Sequence, residues 1–136
     1  MTATGGTENY AIGTNSGALK ATCCGPTYTP SDNAVALGKW TDFVMLMTFA
    51  TTPTGHLTLW RRDEGQSNFS QVVDVANVAT LQLAADAGGV AGDHYWKQGL
   101  YRGGVARTDV YWLGPTARGT TFAAVEGAAF GTNAGP

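Results

Sequence analysis

Charge is what this sequence has least of. Asp, Glu, Lys and Arg supply 13% of the 136 residues, about half the ~25% of an ordinary globular protein. That deficit excludes a charged helical bundle and a coiled coil. Only 8 residues are basic and the net charge is −2, so the electrostatic footprint of a nucleic-acid binder is absent. Long apolar runs are missing too. The longest extends from Phe43 to Met47, against the ~20 residues a membrane-spanning helix needs. The segment Met1–Gly6 has neither positive charge nor an apolar stretch, so no signal peptide is visible. The 2 cysteines, Cys23 and Cys24, are adjacent. A bond between neighbours strains the ring, and two ligands without a second pair make a poor zinc site. The favoured reading is two small, half-buried residues at the end of a strand, with an intermolecular disulfide as the alternative. No acidic cluster announces a metal, and no cofactor is expected. Helical periodicity is equally scarce: only Leu81–Ala87 could form a turn of helix, and Gly88-Gly89 ends it.

What the chain does have is glycine, 19 residues or about twice the usual ~7%, together with 4 Trp, 5 Tyr and 5 Phe along its length. That aromatic content excludes disorder, which needs low hydrophobicity and high net charge. Short β-branched and aromatic runs alternate with Gly, Pro, Asn and Asp. The pattern predicts strands near Tyr10–Gly13, Ala18–Cys24, Asp42–Phe49, His56–Arg62, Gln71–Val75, Tyr95–Gly103, Thr108–Leu113 and Thr121–Phe130. Turns fall at Thr52-Pro53-Thr54-Gly55, Arg62-Asp63-Glu64-Gly65 and Gly103-Gly104. Many short strands at this spacing indicate an all-β antiparallel two-sheet sandwich. One domain spans 1–136, with loose tails at 1–7 and 131–136.

Alternation assigns faces. Leu57 and Leu59 point one way; His56, Thr58, Trp60 and Arg62 point the other. Tyr95, Lys97, Gly99 and Tyr101 share a face. Phe43, Met45, Met47 and Phe49 lie on one side of their strand, and Val44 and Leu46 on the other. A strand apolar on both sides is central or covered. His56 and His94 read as surface residues, and Arg61-Arg62 as a locally neutralised turn beside Asp63-Glu64.

The run Tyr95-Trp96-Lys97-Gln98-Gly99-Leu100-Tyr101 resembles the Tyr-aromatic-Lys-x-Gly-x-Tyr pattern in a late strand of the heparin-lyase-like and alginate-lyase-like polysaccharide lyases. The flanking segments agree in order. Gly38–Val44 looks like the family's entry into a long strand, and Leu57–Trp60 like the strand that follows. Val75–Leu81 looks like the connection before the lysine strand, and Thr108–Gly114 like the closing strand. The likeness covers about residues 17 to 130. It implies a two-sheet jelly roll with a concave substrate face.

These lyases cleave uronic-acid polymers by β-elimination. The chemistry needs a donor that neutralises the C5 carboxylate, a base for the α-proton and an acid for the leaving oxygen. The resemblance implies proton transfer by Tyr101, with Lys97 supplying positive charge that favours phenolate. It also implies an acidic polysaccharide as partner. Tyr95, Lys97, Tyr101, Trp60 and Arg62 are the candidate carbohydrate-binding residues, the aromatics as stacking platforms. The family's carboxylate-neutralising residues and catalytic histidine lie on earlier strands than this chain matches, so the chain resembles a short, C-terminal part of the jelly roll.

Two functions follow as expectations. The favoured one is a non-catalytic, lyase-like jelly roll that serves as a glycan-binding or assembly module, such as a virion decoration or tail-associated protein. A protein partner or a homo-oligomer would then complete or cover its sheets, and its place would be extracellular or on a virion surface. The alternative is an active polysaccharide lyase.

Overall fold

A computed structural model of the chain describes residues 10–15, 18–23, 27–30, 34–81, 106, 108, 110 and 112–130. The expected Tyr95–Gly103 strand, and with it Tyr95, Lys97 and Tyr101, lies outside the described residues, as do His94, Cys24 and both tails.

Among the described residues, six strands form two antiparallel sheets. The first joins β1 (Tyr10–Asn15), β2 (Ala18–Cys23) and β3 (Thr27–Tyr28) in that order. The second joins β4 (Thr41–Thr48), β5 (Gly55–Asp63) and β6 (Ser70–Val78), also in order. The β4–β5 ladder is regular from Thr41↔Asp63 to Thr48↔His56. The β5–β6 ladder slips between Gly55 and His56 and again between Leu59 and Trp60. Asn77 sits at the first slip with φ 59°, a left-handed conformation that Asn tolerates better than most residues. An extra residue of this kind bends the strand and sharpens its twist.

The two sheets pack face to face, as the alternation predicts. Leu57 and Leu59 are fully buried. Leu59 joins Ala21 and Val73 in one core cluster, against which Ile12, Tyr28, Phe43 and Met45 pack. Burying each of the two leucines contributes about 1.5–3 kcal/mol. The chain is therefore an all-β, two-sheet sandwich over most of its described length.

Turn chemistry also follows the sequence. The Gln66 amide donates to the Asp63 carbonyl at 2.9 Å, and Gly65 takes φ 92°. That conformation at the third turn position favours glycine. The Glu64 carboxylate accepts from the Trp40 amide and from Lys39 Nζ, both at 3.1 Å.

Two expectations need correction. Thr121–Phe130 is not a strand: α1 occupies Phe122–Phe130. Four alanines in this segment favour helix, and Thr121 Oγ1 accepts from the Ala124 amide at 3.2 Å as an N-terminal cap. Phe122, Val125 and Phe130 pack on Val44 of β4 and on Phe69, which immediately precedes β6. Their spacing fits one side of a helix, although the residue types alone suggest β. The second correction concerns Thr108–Leu113: Thr108, Val110, Trp112 and Leu113 carry no strand pairing. The two-faced apolarity of β4 also finds its cause. Among the described residues β4 is an edge strand, with Met45 toward the first sheet and Val44 beneath α1.

Candidate functional site

The outer face of the second sheet gathers the described chemistry. Paired residues of neighbouring strands point to the same side. The ladder therefore sets Asp42, Val44, Leu46 and Thr48 beside Arg62, Trp60, Thr58 and His56, with Asp74 opposite Thr58 and Ala76 opposite His56. The helix divides this face. At one end, Trp60 meets Phe122 edge-on, with ring centroids 5.0 Å apart at 72°. Phe69 meets the same ring at 5.6 Å. The end that holds Leu46, His56 and Asp74 stays open to solvent.

Of the residues expected to bind sugar, two fall on this face, next to each other on β5. Trp60 is half-buried between Val44, Phe69 and the helix, so its platform is partly covered by Phe122. Arg62 donates from Nε at 3.1 Å and from Nη2 at 2.8 Å to one oxygen of Asp42. Its guanidinium lies 4.5 Å over the Phe69 ring and 5.1 Å over Phe130. Only 14% of the Arg62 side chain is exposed. Its charge is thus matched by Asp42 across the strand, not by the acidic pair that follows it in sequence.

Arg61 points the other way and is buried. It pairs with Asp63 at 2.8 Å and donates to the Ala34 carbonyl at 2.5 Å. The pair closes one side of a surface pocket of about 450 Å³ between residues 34–39 and Arg61–Glu64. Lys39 and Glu64, on the same pocket, form an ion pair at 3.1 Å.

The open end holds a cluster that sequence reading misses. His56 Nε2 makes a close hydrogen bond to Asp74 Oδ1. Thr58 Oγ1 stands 3.4 Å from both atoms. His56 and Asp74 are about half exposed, whereas Thr58 is buried. The His56 hydrogen bond holds the Asp74 carboxyl below its ordinary range, and bonds from Thr58 and Gln71 act in the same direction. His56 is therefore a surface residue, as expected, but one anchored across the strand as the second residue of β5. Alternation alone places His56 and Thr58 on one face. Asp74 joins them only through the β5–β6 register.

Among the described residues, no group of three or more His, Cys, Asp or Glu is placed to hold a metal ion. No helix there is long and apolar enough to cross a membrane.

One outer face of the two-sheet antiparallel sandwich thus carries a polar and aromatic patch. The chain belongs to the polysaccharide lyase family, whose model matches residues 7–116. No curated protein and no solved structure gives a significant match.

Proposed function

We propose that this chain is a member of the polysaccharide lyase family that binds a glycan without cleaving it, as a binding or assembly module that is extracellular or on a virion surface. The observation that carries this reading is the Arg62–Asp42 pair. β-Elimination needs a cation or strong donor to neutralise the uronate carboxylate. Arg62, the cation on the described outer face of the second sheet, is already neutralised by Asp42 and packed under α1. The open end instead offers a carboxylate, an imidazole and Leu46, which can hold sugar hydroxyls and C–H groups. A second chain, or a partner protein, would cover the sheet edges.

Family membership favours a second reading, an active lyase in which Tyr101 transfers the proton beside Lys97. One experiment separates the two. The protein is incubated with uronic-acid polymers, and the absorbance of the unsaturated product is followed in the far ultraviolet. The non-catalytic reading expects no product, together with saturable glycan binding by calorimetry. Product formation that is lost in Tyr101→Phe would establish the lyase and overturn the proposal.

A further inference from the structure

We infer that the chain carries a second sugar-binding point, away from the outer face: the pocket between residues 34–36, Lys39, Arg61, Asp63 and Glu64, with Trp40 as its stacking platform. This deepens the glycan-binding reading and rests on it. The pocket lies where β4 begins and β5 ends. Asp63 is about 23 Å along β5 from His56 at ~3.3 Å per residue. Arg61, which lines the pocket, points away from the side of Trp60 and Arg62. The volume, about 450 Å³, falls within the ~300–1,000 Å³ of small-ligand sites.

The charges around the pocket are matched, Arg61 with Asp63 at 2.8 Å and Lys39 with Glu64 at 3.1 Å. Such pairs set donors and acceptors side by side, and a sugar hydroxyl, which both donates and accepts, answers both. An ammonium has three donors and Lys39 uses one on Glu64. It can therefore also donate to a sugar carboxylate, which admits the uronic-acid rings that the family likeness implies. Trp40 supplies the apolar half. It is 52% exposed, yet its backbone is fixed: its amide donates to Glu64 Oε2 at 3.1 Å and its carbonyl accepts from the Glu64 amide at 2.9 Å. Gly114 stands beside the indole, where a Cβ would lie 3.7 Å from Cζ3. Leu37, on the same loop, is 97% exposed and extends the apolar edge. A held, half-exposed indole takes sugar C–H groups while the neighbouring pairs take the hydroxyls.

Calorimetry and oxidative footprinting of the intact protein test the site, with hexamers of mannuronate, glucuronate, galacturonate and glucose as probes. For the tightest-binding hexamer, Trp40→Ala should weaken association about fivefold or more, and Lys39→Met about threefold or more. In the unmutated protein, the saturating hexamer should lower hydroxyl-radical oxidation of Trp40 about twofold or more, because a stacked ring covers the exposed indole face. Peptide mass spectrometry reads that protection, and it needs no variant to fold. Binding of a hexamer without protection of Trp40 overturns the inference and leaves the glycan-binding reading standing. Protection that grows with protein concentration in the absence of sugar marks a contact between copies and overturns it too. Binding to none of the hexamers removes the glycan-binding reading, and this inference with it.

Discussion

Arg62 places two N–H groups on a single oxygen of Asp42, at 3.1 and 2.8 Å, while its guanidinium lies over Phe69 and Phe130. The pair thereby ties β4 and β5 to the end of α1. Hydrogen bonds to charged groups contribute about 1.5–3 kcal/mol each, and removing one partner leaves the other unsatisfied. Asp42→Ala should therefore lower the unfolding free energy by about 1–3 kcal/mol. Urea denaturation measures this, and a midpoint equal to the parent's would show that the pair is ornamental.

Gly55 has no room for a side chain. A Cβ there would lie 2.6 Å from the Val78 carbonyl oxygen and 2.7 Å from Thr80 Oγ1. Thr80 cannot easily retreat: it is fully buried, accepts from the Ala50 amide at 2.7 Å and donates to the Thr48 carbonyl at 2.9 Å. Overpacking of this kind costs about 1–3 kcal/mol. Gly55→Ala should destabilise the protein by at least that much, and Thr80→Ser, which keeps the hydroxyl, by less. A thermal melt comparing the two variants checks the order.

Acid should erode two specific contributions. Asp74 is held below its ordinary range first by His56, and Glu64 by the Trp40 amide and then by Lys39. A carboxyl whose folded value is depressed stabilises the fold in full above its unfolded value, and that contribution fades as pH falls through the folded one. Asp74→Asn and Glu64→Gln should thus be less stable than the parent at neutral pH, and the gap should close below about pH 4. A gap that stays constant down to pH 2 would contradict this assignment.

Glu126 of α1 is 5% exposed, and its Oε1 has no hydrogen-bond partner among the described residues. A buried polar atom left unsatisfied costs about 1–3 kcal/mol. Glu126→Met, similar in volume and apolar, should raise the unfolding midpoint. A lower midpoint would mean that the carboxylate makes a stabilising interaction.

Much of the architecture is legible locally. Alternation in His56–Arg62 separates the two faces of β5 correctly, because side chains in a strand alternate whatever the strand packs against. The turn after β5 is also readable from Gly65, although the pattern sets it at Arg62–Gly65 and its hydrogen bond closes one residue later, at Asp63–Gln66. The segment at 121–130 is not, since Thr, Phe and Val suggest a strand while the spacing of Phe122, Val125 and Phe130 needs a surface to dock on before it stabilises a helix. Tertiary packing routinely overrides such weak propensities.

What this sequence determined by itself is the all-β class, the strands β4 and β5, their inner and outer faces, and the motifs that carry the family likeness. Only the tertiary structure decided the partners. Arg62 chooses Asp42, 20 residues away, over the adjacent acids. His56 meets Asp74, 18 residues away, because a ladder with two slips brings them together. A periodic pattern sets which side a residue faces, but register, bulges and the seating of α1 set what it meets there. These are non-local, and they turn a scatter of polar residues into the paired groups of the outer face.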